Sequence, residues 1–296
     1  MQWKIGDVTV TKIVELESLG RTKFVLPQAT PEEIKKLSWL APHLADEEGR
    51  LKMSIHSLVV ETRERRILVD TCIGNDKQGR GIPLWNGLAT PYLGRLAEAG
   101  YAAKTIDTVL CTHLHVDHVG WNTRLADGAW VPTFEKARYL FGRAEYDYWK
   151  TRREDPYETA VFDDSVKPVV DAGLVDFIQP CDRLCKEVSV FSTPGHSPGH
   201  LGVLIRSQGE EAVLTGDVAH HPCQMAHIDW ASTFDSDPVQ STHTRRELFS
   251  DLAGKPTLVI GGHFNGGHIV KDGATFRFKV DLSGGGALIA PHFASI

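Results

Sequence analysis

Four side chains able to ligate a metal ion fall within the six residues 113–118 of Thr112-His113-Leu114-His115-Val116-Asp117-His118. The string follows directly on the apolar run 108–111, which reads as a short buried strand. Residues two apart on extended backbone face the same side, so His113 and His115 can point one way if the chain stays extended beyond the strand. Asp117 and His118 follow as the chain turns and can serve a second ion beside the first. With 14 histidines in 296 residues, a single pair two apart would mean little, but the full string is far more specific. Imidazole and carboxylate together suit zinc, and also iron or manganese. Two histidines alone rarely hold a metal tightly, so the fold must bring further ligands from elsewhere.

Three later segments offer them. Thr193-Pro194-Gly195-His196-Ser197-Pro198-Gly199-His200 presents His196 in a Gly/Pro-rich turn after the apolar run 188–192. Thr215-Gly216-Asp217 places a carboxylate at the end of a run beginning at Ala212, and Gly261-Gly262-His263 places an imidazole after the run 257–260. Each time a strand-like segment ends, glycine frees the backbone, and a ligand type follows at once. Any one of these alone reads as a turn residue; four strand-end ligand sites in one chain do not.

The rest of the chain supplies the frame. Residues 5–16 read as extended with Gly6-Asp7 as a turn between two strands, and 54–61 with 66–70 as a hairpin. Further strands are predicted over 201–206, 212–215 and 275–280. Helices are predicted from Thr30, as N-cap with Glu33 closing a capping box, to about Leu40, from Thr90-Pro91 to Gly100, and over 239–252. The stretch from 143 to about 170 reads as helical and surface-exposed. No repeat or low-complexity linker divides residues 1–296, which are read as a single domain. Strand clusters in both halves, each followed by helices, predict two sheets packed face to face with helices outside.

Charge narrows the partners. The net charge is −6, whereas a nucleic-acid binder usually carries a basic field, so a small-molecule substrate is expected and nucleic acid is not. No apolar run approaches the ~20 residues of a membrane span, and the first ten residues lack the apolar core of a secretion signal. Five cysteines without tight pairing suit reduced thiols, so a cytoplasmic location is expected. The segment 21–52 reads either as a lid or as the arm of a homodimer.

The succession HxHxDH, TPGHSPGH, TGD and GGH, spanning roughly residues 54–263, resembles the metallo-β-lactamase superfamily. The resemblance implies an α/β fold, the αβ/βα four-layer sandwich with two mixed sheets face to face, and two divalent metal ions at the sheet edge, zinc first among them. By motif, His113, His115 and His196 would bind one ion, Asp117, His118 and His263 the other, and Asp217 would bridge them. Asp70, in Leu68-Val69-Asp70-Thr71, matches the family's buried aspartate that orients a ligand histidine. Cys72 stands where the family often has glycine. His200 is expected to support the site rather than ligate.

Such a centre implies a hydrolase whose hydroxide, shared between ions about 3.5–4 Å apart, attacks a carbonyl or phosphoryl centre, with Asp117 handling the proton passed to the leaving group. The segments 119–122 and 216–222 are similar to the quorum-quenching lactonases and methyl parathion hydrolase. A lactone or carboxylic ester is therefore the expected substrate, with promiscuous phosphotriesterase activity. A thioester hydrolase of the glyoxalase II kind and a β-lactamase are the alternatives, and a non-catalytic metal-binding module is the alternative of another class. Trp121, His220, His221 and Phe264, beside the ligand motifs, are candidates to line the substrate pocket.

Overall fold

The computed structural model describes residues 1–20 and 22–284. Its first sheet takes β1 (Gln2–Ile5), β2 (Val8–Leu19), β3 (Lys52–Glu61), β4 (Arg66–Val69) and β5 (Thr108–Cys111) side by side. A small hairpin of β6 (Thr123–Ala126) and β7 (Ala129–Pro132) intervenes before β8 (Arg138–Gly142) and β9 (Val175–Ile178) complete that sheet. The second sheet runs in sequence order: β10 (Val188–Ser192), β11 (Leu201–Ser207), β12 (Glu210–Leu214), β13 (Leu258–Ile260), β14 (Gly267–Asp272) and β15 (Thr275–Val280).

Side-chain alternation along these strands builds the layers, because successive residues face opposite sides of a sheet. Leu58 and Val60 of β3, and Ile67 and Val69 of β4, join Val203 and Ile205 of β11 and Ala212 and Leu214 of β12 in one core between the sheets. The residues between them turn outward. Val59, Leu68 and Val109 pack beneath Tyr92 and Leu96 of the helix Tyr92–Glu98. Val213 and Val259 pack beneath Phe249 and Leu252 of the helix Pro238–Leu252. The order is helix, sheet, sheet, helix, which is the predicted sandwich.

Strand direction positions the site. β4, β5, β8 and β9 are mutually parallel. In the other sheet β12 and β13 are parallel, and β10 runs the same way because both it and β12 are antiparallel to β11. The carboxyl ends of β5, β10, β12 and β13, each followed by a predicted ligand, therefore reach one edge. Leu201 N–H bonds the Thr112 carbonyl at 2.9 Å and Ser54 N–H the His263 carbonyl at 3.0 Å, tying the sheets together there.

Several local expectations change. Thr30 does cap a helix, its Oγ1 accepting from Glu33 N–H, but that helix ends at Ile34 and resumes only as a 3-10 turn over Ser38–Leu40. Glu33 pairs with Lys36 instead of reaching back, so the capping box is half made. The stretch 143–170 is three short α-helices around a π-helical turn, Phe162–Val166. It is not simply exposed: Glu145, Trp149, Val161, Ser165, Val166 and Val169 are buried. No helix of the described residues is long and apolar enough to cross a membrane.

Candidate metal centre

The strand ends deliver two neighbouring clusters. His113, His115 and His196 form one, with Nε2 of His113 lying 3.0 Å from Nδ1 of His115 and 3.1 Å from Nε2 of His196, and the latter two nitrogens 2.8 Å apart. Asp117, His118 and His263 form the other. Asp217 stands between them. Its Oδ2 is 3.1 Å from Nε2 of His263, 3.4 Å from that of His118 and 3.6 Å from that of His196. His220 adds a nitrogen 3.2 Å from the same oxygen.

Second nitrogens decide which way the lone pairs point. Thr112 Oγ1 gives its proton to Asp70 Oδ2 at 2.9 Å and so accepts from His113 Nδ1 at 3.0 Å. His118 Nδ1 donates to Asp70 at 2.8 Å, His196 Nδ1 to Asp235 at 2.9 Å, and His263 Nδ1 to the Ser54 carbonyl at 3.1 Å. Each of these rings carries its proton on the outer nitrogen and turns a bare Nε2 inward. The bare Nε2 atoms of His113 and His196, 3.1 Å apart, repel one another unless a cation sits between them. Nitrogens sharing one tetrahedral zinc ion lie about 3.3 Å apart at ordinary bond lengths, near the 2.8–3.1 Å found here. His118 Nε2, buried and 3.4 Å from Asp217 Oδ2, has no hydrogen-bond partner, and neither does the buried Asp217 Oδ1. The donor set fits divalent cations.

Electrostatics agree. Burial holds His113 and His115 well below the ordinary imidazole range and brings His196 down to about 4, so all three stay neutral at pH 7. Burial opposes charging His118 and His263 as well. There the carboxylates, Asp217 first, outweigh it and hold both imidazoles above their usual range. Asp217 itself, despite burial, is held well below the carboxylate range by His263, His118 and His220. The carboxylates thus favour positive charge at the end of the site that holds His118 and His263.

Backbone conformation serves this placement. Gly216 adopts φ +51, and a Cβ there would sit 2.7 Å from His200 Nε2, which accepts the Asp217 N–H at 3.0 Å. His200 gives its other nitrogen to Thr193 Oγ1 at 2.7 Å. Both of its nitrogens are engaged, so it braces the Asp217 turn and stays outside the clusters. Asp70, also at positive φ (58°), accepts Thr112 N–H at 2.7 Å and thereby ties β4 to the start of the histidine string.

Beside the clusters opens a cavity of about 390 Å³. Leu19, Phe24, Val25, Ile55, Leu84, Trp85 and Phe234 make its apolar walls, and His115, Asp117, Tyr157, His220 and His263 its polar floor. Part of the segment 21–52 forms one wall, while Leu26, Ile34, Leu40 and Leu51 pack on the outer face of the second sheet; Arg21 lies outside the described residues. Of the four pocket candidates only His220 reaches the cavity. Trp121 is buried against Tyr92, its indole N–H on Glu15 at 2.6 Å. Phe264 turns into the core against Phe278. His221 spends one nitrogen on the Leu44 carbonyl and the other on Cys223 N–H. Sequence reasoning missed Asp235, Glu145, Tyr157 and the wall residues Phe24, Leu84 and Phe234, none of which adjoins a ligand motif.

Facing sheets with helices on both outer sides, and imidazoles and carboxylates gathered at their common edge, define the αβ/βα class of metal-site proteins. A profile of the Metallo-beta-lactamase superfamily matches residues 52–263, and the chain belongs to that superfamily. Among curated relatives it is 27% identical to an N-acyl homoserine lactonase of Bacillus cereus over 55% of this chain and 63% of that one. It is 24% identical to the probable metallo-hydrolase YybB of Bacillus subtilis (strain 168) over 56% and 67%. The match thus spans less than two thirds of the lactonase. Similar folds are AidC, a dizinc quorum-quenching lactonase (TM-score 0.76, 20% identity, 95% of this chain and 97% of that one), and the hydrolase AbOPH (0.76, 24%, 95% and 96%).

Proposed function

We propose that the protein is a dinuclear metal-dependent hydrolase of small lactones or carboxylic esters, with a slower side activity on phosphotriesters. The observation that carries this reading is the junction of two metal-ligand clusters, with Asp217 beside both, and an apolar cavity large enough for an acyl chain. His113, His115 and His196 would hold one ion, and Asp117, His118 and His263 the other, with Asp217 between them. When bound, such a pair supplies Lewis acidity, lowering the pKa of water and polarising a carbonyl or phosphoryl oxygen; zinc suits the nitrogen and oxygen donors best.

The chain's own residues do the rest. The walls at Phe24, Leu84, Trp85 and Phe234 exclude water from the acyl chain and orient the scissile group over the floor. Asp117 lines the cavity and is more exposed than Asp217, and it is placed to carry a proton to the departing alcohol oxygen. His220 lines the cavity floor, where it is placed to meet the substrate's oxygen. Water adds across the acyl–oxygen bond, giving a hydroxy acid from a lactone, or an acid and an alcohol from an ester.

The test is metal analysis of the purified protein followed by a panel of lactones, aryl esters, thioesters and phosphotriesters. Two equivalents of divalent metal and turnover highest on lactones or esters are expected. Protein free of transition metal and inert on every member overturns the reading. Turnover of β-lactams or thioesters alone moves the substrate to one of those classes.

A further inference from the structure

Glu145 is a buried carboxylate that the reaction does not use. It lies in the first turn of the helix Arg143–Trp149, is 1% exposed, and does not line the cavity. Its Oε1 accepts the Leu114 N–H at 3.0 Å and the Trp149 indole N–H at 2.6 Å. Its Oε2 accepts the Ser197 hydroxyl at 2.8 Å and the Gly199 N–H at 3.0 Å. Leu114 stands between His113 and His115, and Ser197 directly follows His196. One side chain therefore clasps both loops that carry the three-histidine cluster. Gly199 allows the approach, since a Cβ there would collide with the Glu145 backbone. Trp149, held by the same carboxylate, sets its ring edge-on to His115 at 5.1 Å.

Three of the four donors can only donate, so the position demands two acceptor oxygens facing opposite ways. A glutamine turns its NH2 toward one pair of donors and breaks that arm. Burial pushes the Glu145 carboxyl up and its four donors pull it back toward the charged form; a buried charge ordinarily needs an opposite charge. A cation held by the two loops it clasps would supply that charge.

We propose that Glu145 is a positioning residue: it fixes the His113–His115 loop against the His196 turn and thereby sets how tightly the three-histidine cluster holds a divalent cation. This rests on the metal-centre reading above.

Cobalt(II) titrated into metal-free wild type, E145Q and S197A, followed by visible absorption, tests it. Wild type takes up two equivalents. E145Q is expected to bind one as wild type does and the other about ten- to a hundredfold more weakly, with an altered ligand-field band. S197A keeps three of the four bonds and weakens the same equivalent by a smaller factor. A merely structural role would lower the melting temperature and leave both affinities unchanged, and that result overturns the proposal. Should E145Q fail to fold, wild-type affinity in S197A overturns it alone. Wild type that binds no cobalt overturns the metal-centre reading itself.

Discussion

Replacing Asp217 by asparagine preserves the shape of the side chain and removes the charge that four imidazoles crowd around. In D217N, loss of at least one equivalent of metal and a fall in kcat/KM of about a hundredfold or more are expected, since an open two-ion site loses the anion common to both clusters. Metal content measured beside rate checks it; full content and full rate would rule out the proposed bridging by Asp217. Lys77 gives a different prediction. Its ammonium donates to Thr123 Oγ1 at 2.6 Å and to the Asp164 carbonyl at 3.0 Å. Burial lowers its pKa from 10.5 to about 7. Below pH 7 the lysine is charged in both folded and unfolded states, and the fold bears the desolvation cost. Between the two pKa values the unfolded chain binds the extra proton, so this contribution to stability rises with pH. From pH 7.5 to 9.5, denaturant titrations should show wild type gaining on Lys77→Met by roughly 1 kcal/mol per pH unit; parallel curves would place the ammonium's pKa near its ordinary value.

Elements of the fold explain which parts were legible in the sequence. His113, His115, Asp117 and His118 were legible because their spacing is local and the strand before them is apolar. His196, Asp217 and His263 were legible because each follows a strand and a glycine. Trp121 and Phe264 adjoin the same motifs yet face the core, since adjacency at a strand end does not say which way a ring turns. Asp235 and Glu145 were hidden because their partners lie 39 and 52 residues away, at His196 and Ser197. β8 and β9 are five and four residues long and pair with distant segments, so no alternation announced them. The cavity loop was equally silent. Residues 76–88 are closed by Gly87 N–H on the Lys77 carbonyl and Asp76 N–H on that of Leu88, and Asn86 braces the loop from within. That loop holds Leu84 and Trp85 over the floor. Trp85→Ala should raise KM for long-chain esters about tenfold with little change in kcat, by loss of roughly 1–1.5 kcal/mol of apolar contact. Short-chain esters serve as the control, and equal effects on both would take Trp85 out of chain binding.

At the scale of the whole molecule, the candidate ligands come from both sheets, whose shared core is apolar. Ligands that bind only the folded state stabilise it by mass action, about 2.7 kcal/mol at a hundredfold excess over Kd. A strong chelator should therefore abolish hydrolysis and lower the melting temperature by several degrees, and added zinc should restore both. An unchanged melting curve in chelator would show that the sheets stay docked without the ions. Each cluster also mixes early and late residues: His113 and His115 with His196, Asp117 and His118 with His263. During synthesis the amino-terminal half leaves the ribosome bearing only part of either ligand set. Neither set is complete until the carboxyl-terminal half has emerged and closed over it. A nascent chain is thus a poor trap for stray ions, and loading becomes a late event that reports finished assembly.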